Sequence, residues 1–178
     1  IVAEKALFEY RLDRILFIPS GDPPHKKVMN ISDAEHRYAM TLLSIASNPS
    51  FYITRMEIER PGPSYSIDTM RQLRSIYNSD AQFFFILGMD EALEITSWHE
   101  AEALPSLTRF IVAPRPGFDR SIIQNQLPKI FSEAIDPLSM QPIYVASTEL
   151  RDMVEQSISI RYLVPDSVND YIIKHKLY

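Results

Sequence analysis

Apolar positions recur along this chain in two alternating patterns, one helical and one continuous. Residues 1–12 set Val2, Ala3, Ala6, Leu7 and Tyr10 on one face at helical spacing. Ile15-Leu16-Phe17-Ile18 follows as a short apolar run stopped by Pro19, which predicts a buried strand. Residues 20–30 are rich in Pro, Gly and Lys and read as a loop. Ser32 and Glu35 have capping-box spacing, so a helix is expected from there to about residue 47. Residues 51–58 read as a strand. The run Arg60-Pro61-Gly62-Pro63-Ser64-Tyr65 cannot be helix interior, because proline lacks the N–H and clashes with the preceding turn. Ser66 is the expected N-cap of a helix carrying Ile67, Met70, Leu73 and Ile76.

The most strand-like segment, Phe83-Phe84-Phe85-Ile86-Leu87, ends at Gly88. A short acidic helix, Trp98, another short helix and the strand Phe110-Ile111-Val112-Ala113 come next. Residues 118–141 carry only weak signals. Ile143-Tyr144-Val145 reads as the last strand, and Ser147 as the cap of a helix to about residue 157. Pro165 suits the first turn of a final helix ending near residue 176. Apolar strands alternating with helices give an α/β fold with a doubly wound parallel sheet covered on both faces. It is expected as a single domain over residues 1–178, with a helical portion from about residue 147. Ligands in such sheets sit at the carboxyl ends of the strands, and the first strand is usually central. Here a helix opens the chain. A strand and a binding loop of ~20 residues are therefore expected ahead of Ile1, without which two neighbouring strands would expose unpaired edges.

Composition narrows the partners. The formal net charge is −5 and there is no dense Lys/Arg block, which argues against a nucleic-acid polymer, where phosphate neutralisation dominates affinity. A small phosphate compound needs only a local cluster of donors. Cysteine is absent, which excludes disulfides, thiolate catalysis and Cys-based zinc sites and fits a reducing, cytoplasmic compartment. The longest apolar run is too short to cross a bilayer, so no membrane partner is expected. The oligomeric state is left open, a homo-oligomer included.

Several clusters can carry chemistry, and each has a plainer alternative. Pro23-Pro24-His25-Lys26-Lys27 directly follows a strand: cations on a stiffened loop suit phosphate, and equally describe a solvated basic loop. Pro63-Ser64-Tyr65-Ser66-Ile67-Asp68-Thr69 leads into a helix whose free N–H groups make a small anion site with a hydroxyl rim, or an ordinary helix start. Gly88 allows close backbone approach and Asp90 can accept from ribose hydroxyls; the alternative is a turn with a capping Asp. Trp98, the only tryptophan, stacks on an aromatic ligand or belongs to the core. Ala146-Ser147-Thr148-Glu149-Leu150-Arg151 is the strongest cluster. Two hydroxyls, a helix N-terminus and a guanidinium one turn on could converge on a polyphosphate, or amount to a good cap and a surface Arg. His36, His99 and His175 lack the spacing of metal ligands and read as structural or exposed, so no metal-binding side chain is assigned. There is no G-x-x-x-x-G-K-[ST] and no G-x-G-x-x-G.

The order of these segments is more specific than any one of them. Phe17-Ile18-Pro19-Ser20-Gly21-Asp22-Pro23-Pro24-His25-Lys26, Gly62-Pro63-Ser64-Tyr65-Ser66-Ile67-Asp68-Thr69, Ile86-Leu87-Gly88-Met89-Asp90, Trp98, Arg115-Pro116-Gly117, the 146–151 cluster and Arg161-Tyr162-Leu163-Val164-Pro165 occur in one line. Together they resemble bacterial nicotinate-mononucleotide adenylyltransferase, the deamido-NAD pyrophosphorylase family, along the length of the chain. The resemblance implies a Rossmann-like nucleotidyltransferase that joins ATP, with Mg²⁺, to nicotinate mononucleotide. It also implies that Ser147, Thr148 and Arg151 hold the ATP phosphates, and that Tyr65, Ser66 and Thr69 line a nicotinate pocket with Trp98 stacked on the ring. Gly88 and Asp90 would contact nucleotide sugar, with His25, Lys26 and Arg115 bordering the site. Ala146 stands where the family has a serine. The family's loop Gly-[Thr/Ser]-Phe-Asp-Pro-x-His-x-Gly-His should end just before Ile1, so the chain as it stands is expected not to be competent. Two alternatives remain open here: a pantetheine-phosphate or glycerol-phosphate nucleotidyltransferase, and a non-catalytic NAD-binding regulatory or redox domain.

Overall fold

The computed structural model describes residues 1–24, 32–114, 120–141 and 143–178. In chain order the elements are α1 (Val2–Glu9), β1 (Ile15–Phe17), α2 (Ala34–Ile45), β2 (Phe51–Ile53), α3 (Ser66–Ile76), β3 (Phe84–Gly88) and α4 (Met89–Leu93). Two 3₁₀ segments, Ile95–Ser97 and Ala101–Ser106, precede β4 (Arg109–Ala113), α5 (Arg120–Gln126), α6 (Lys129–Ser132), β5 (Ile135–Pro137), α7 (Ser147–Glu155) and α8 (Asp166–His175). The described chain divides into two compact units, Ile1–Asp13 with Ser64–Ile143, and Arg14–Pro63 with Tyr144–Tyr178.

The first unit is built on a parallel sheet of order β3-β4-β5, with Phe85 opposite Phe110 and Phe110 opposite Ile135. Phe110, Ile111 and Val112 of the middle strand are fully buried, which is why β4 reads as an unbroken apolar run. Burying each of these side chains contributes about 1.5–3 kcal/mol. Ala6 of α1 packs on Ile111 and Leu138, flanked by Val2, Tyr10, Phe84 and Ile86. Tyr10 Oη donates to the Pro137 carbonyl at 2.7 Å, and both Glu9 carboxylate oxygens accept from Ser139 N–H. These bonds attach α1 to the end of β5.

In the second unit β1 and β2 pair in parallel, with Leu16 opposite Tyr52. Ile160, Val168 and Ile172 form its core with Met40 and Leu43 of α2, Leu150 and Met153 of α7, and Leu177. Among the described residues β1 pairs only with β2, and β3 only with β4. No helix is long and apolar enough to cross a membrane among the described residues.

Several boundaries differ from the sequence-based expectations. Asp33, not Ser32, caps α2: its side chain accepts from Glu35 N–H at 2.8 Å, while Ser32 Oγ bonds Tyr178 Oη at 2.9 Å. β2 ends at Ile53 rather than running to Ile58, because Thr54 Oγ1 accepts from Met56 N–H and turns the chain. Ile143-Tyr144-Val145 is not a strand; all three residues are exposed, and the last strand is β5. Ser66 and Ser147 are the first helical residues, preceded by Tyr65 and Ala146 in extended conformation, and neither helix has a side-chain cap. Pro165 sits at the N-cap of α8, one position before the first turn.

Candidate active site

In the first unit the residues after Pro63 enter α3. Tyr65 and Ser66 are half-buried, whereas Thr69 is 3% exposed and its hydroxyl turns back to the Tyr65 carbonyl at 3.4 Å. Thr69 thus supports the helix start from beneath. Gly88 is exposed at the end of β3, and Asp90 lies in the first turn of α4. The Gly88 backbone is extended, at φ −74 and ψ 164, so its value lies in space rather than in a left-handed turn.

Trp98 is neither core nor free. It is half-buried, with its ring edge-on to Phe85 at 5.8 Å and 64°. The next residue, His99, lays its ring on Tyr65 with centroids 4.3 Å apart and planes inclined by 31°. The structure therefore brings the Trp98 turn to the start of α3. It also brings His99, which the sequence left as structural or exposed, beside the candidate residue Tyr65; its position directly after Trp98 was the available signal. His36 and His175 do take structural places: His36 Nδ1 is 3.0 Å from Tyr171 Oη, and His175 stacks on Tyr171.

In the second unit Ser147 and Thr148 stand exposed at the start of α7, and Arg151 is half-buried. Arg151 Nη2 donates to Thr148 Oγ1 at 3.3 Å, and its guanidinium lies 6.0 Å from the Tyr178 ring centroid. The first turn of α7 combines N–H groups that no side chain caps with two hydroxyls and a cation, which can donate to an anion, and with the carboxylate of Glu149. His25, Lys26 and Arg115 lie outside the described residues. Arg37 donates to the Ser32 carbonyl at 3.1 Å and to the Gly21 carbonyl at 3.2 Å. An open groove of about 460 Å³ between Phe17, Pro19, Met40 and Ile45 contains none of the candidate residues. Among the described residues no three His, Asp or Glu gather where they could hold a metal ion.

A family model described as "Cytidylyltransferase-like" matches residues 1–159. A protein of Moorella thermoacetica named "Probable nicotinate-nucleotide adenylyltransferase" is 40% identical over the whole of this chain and 83% of its own length. A protein of the same name from Thermoanaerobacter sp. is 37% identical over the whole chain and 86% of its own length. The chain belongs to the nicotinate-nucleotide adenylyltransferase family. Its fold agrees: a Plasmodium falciparum nicotinic acid mononucleotide adenylyltransferase complexed with NaAD matches 99% of this chain and 90% of its own, at a TM-score of 0.77 and 19% identity. The parallel sheets and helices described above are those of a Rossmann-like nucleotidyltransferase. In adenylyltransferases of this family ATP arrives with a divalent cation.

Proposed function

We propose that this chain transfers the adenylyl group of ATP to nicotinate mononucleotide, giving nicotinate adenine dinucleotide and pyrophosphate. The observation that carries this reading is the end-to-end match, at 37–40% identity, to proteins named for that reaction. An oxygen of the mononucleotide phosphate attacks the α-phosphorus of ATP. A new P–O–P bridge forms, the bond between the α-phosphorus and its bridge to the β-phosphate breaks, and pyrophosphate leaves with that electron pair. No bond to the protein is needed, so the side chains serve to align reactants and stabilise charge.

In this reading the start of α7, with Ser147, Thr148 and Arg151, holds the ATP phosphates. Arg151 supplies a fork matched to phosphate oxygens. Tyr65 and Ser66 line the nicotinate pocket above the buried Thr69, and Trp98 stacks on the pyridine ring. Gly88 and Asp90 contact nucleotide sugar, and His25, Lys26 and Arg115 border the site. The cation entering with ATP is Mg²⁺, which keeps several waters and is bound largely through substrate phosphates rather than a protein cage. Residues 1–178 are read as one nucleotidyltransferase domain, supported by a family match that runs through both units. A cysteine-free acidic chain with such substrates is placed in the cytoplasm, without nucleic-acid polymer or membrane as partner.

The test is pyrophosphate release by the intact protein, assayed in parallel with nicotinate mononucleotide, pantetheine phosphate and glycerol phosphate, each with Mg·ATP and Mg·CTP. Turnover is expected with nicotinate mononucleotide and ATP. Turnover confined to glycerol phosphate with CTP, or to pantetheine phosphate, would reassign the substrate.

A further inference from the structure

Arg71, on the second turn of α3, reaches the turn that follows Trp98. Its Nη1 donates to Glu100 Oε1 at 3.1 Å and its Nη2 to Glu100 Oε2, a two-pronged grip on one carboxylate. Glu100 sits at φ 48 and ψ 39, in the left-handed region that few side-chain-bearing residues adopt. Its Oε1 also lies 3.5 Å from His99 Nε2. His99 stacks on Tyr65, the N-cap residue of α3. The turn is thus tied to one helix at two levels: to the helix start through His99 and Tyr65, and further along through Glu100 and Arg71. Trp98 stands beside these ties and rests edge-on against Phe85 of β3.

Arg71 and Glu100 are both about half exposed, and exposed ion pairs contribute little to folding. A bidentate contact across a left-handed turn beside Trp98 has a more specific use. We propose that the Arg71–Glu100 clamp is a positioning device, holding the turn that sets Trp98 and His99 against Tyr65 and thereby setting the affinity for the pyridine nucleotide. The inference rests on the reading of Tyr65 and Trp98 as pyridine-pocket residues. Neither Arg71 nor Glu100 touches substrate in this account; both act through their neighbours.

Trp98 is the only tryptophan, so its fluorescence reports its seat without any substrate. Three variants separate the possibilities: Arg71→Ala, Glu100→Gly, and the charge-reversed pair Arg71→Glu with Glu100→Arg. Glycine adopts the left-handed turn without strain but has no carboxylate, so a purely backbone role leaves Glu100→Gly like the native protein. Loss of the clamp instead lowers Trp98 anisotropy and red-shifts its emission in both single variants. It also raises KM for nicotinate mononucleotide about tenfold, as loosened alignment does, while KM for ATP and the melting temperature stay close to native. The reversed pair should restore Trp98 emission and anisotropy, while Asp68 loses the cation 3.8 Å away and KM for the mononucleotide stays raised. Native emission and anisotropy in both single variants would overturn the clamp, as would altered emission with an unchanged KM for the mononucleotide. If the unaltered protein does not use nicotinate mononucleotide, the pocket reading fails, and the fluorescence still decides the clamp.

Discussion

Arg151 Nη2 and Thr148 Oγ1 are 3.3 Å apart, so the guanidinium lies back over the first turn of α7 rather than out along its flank. That places a fixed positive charge beside two hydroxyls and the helix N-terminus. Arg151→Ala is expected to slow turnover by at least ~10²-fold, the scale of losing one donor aimed at developing charge. Melting should move little, because the contact with the Tyr178 ring, at 6.0 Å, is a weak one. Steady-state rates with saturating substrates, beside a thermal melt, measure both. Near-native turnover would make Arg151 an ordinary surface residue.

The parts legible in the sequence were those whose signal is local. β3 and β4 are runs of apolar residues, α1 and α3 follow helical spacing, and α7 and α8 were marked by Ser147 and Pro165 at their starts, so local signals located them. β5 is three residues, Ile135-Asp136-Pro137, of which only Ile135 is buried. Its Asp136 takes part because Arg109, on the neighbouring strand, bonds both its oxygens at 2.7 and 2.8 Å. Nothing nearby in sequence announces that pair. The exposed Ile143-Tyr144-Val145 has better strand chemistry and, among the described residues, joins no strand. Among the candidate residues, the clusters around Tyr65, Trp98 and Ser147 stood out as motifs, whereas the contacts of His99 and Glu100 depend on a turn meeting a helix 29 residues away, as in the Arg71–Glu100 bond.

Glu9 provides a pH test of the first unit. Its carboxylate accepts from Ser139 N–H at 3.1 and 3.2 Å and lies 3.6 Å from Lys5. Burial pushes its pKa up, but the Ser139 bonds and the Lys5 charge together outweigh this and hold it below its ordinary 4.5. A carboxyl depressed by folding adds stability above its unfolded pKa, and that stability is lost as pH falls through the lower folded value. Glu9→Gln should therefore be less stable than native at neutral pH, with a gap that holds down to about pH 4.5 and closes below it. Urea midpoints across that range give the answer. A gap that grows on acidification would show that the Ser139 and Lys5 contacts do not stabilise the charged form.

Gly21 tests the loop that leads to His25 and Lys26. A Cβ there would collide with the backbone carbonyl oxygen of Glu57 and approach Ile58 Cα to 3.1 Å. Backbone cannot swing aside as a side chain can, and the Gly21 carbonyl is also held by Arg37 at 3.2 Å. Gly21→Ala should cost about 1–3 kcal/mol, or roughly 3–10 °C in Tm for a chain of this size. A thermal melt measures it. Native stability would mean the strands and turn around Glu57 yield more readily than their packing implies.

The choice between the two pyridine nucleotides tests the pocket itself. Nicotinate carries a carboxylate where nicotinamide carries a neutral amide of similar shape. The proposed reader is the first turn of α3, whose N-cap residue Tyr65 offers no side-chain bond to it. The N–H groups there only donate, and the helix dipole favours negative charge. Asp68, in the same turn, opposes this, and Arg71, 3.8 Å from it and paired with Glu100, offsets its charge only in part. A carboxylate can accept on both oxygens. An amide must turn its own NH₂ toward one donor, leaving that donor unpaired at a cost of roughly 1–3 kcal/mol, and it forfeits the charge-assisted character of the other bond. Stacking on Trp98 does not discriminate, because the two rings present similar faces. The acid is therefore expected to be preferred by at least ~10–100-fold in kcat/KM, since ~1.4 kcal/mol is a factor of ten. The measurement compares the two mononucleotides with saturating Mg·ATP in the intact protein. Equal efficiency, or a preference for the amide, would mean that the start of α3 does not read the carboxylate and that the acid is recognised elsewhere or not at all.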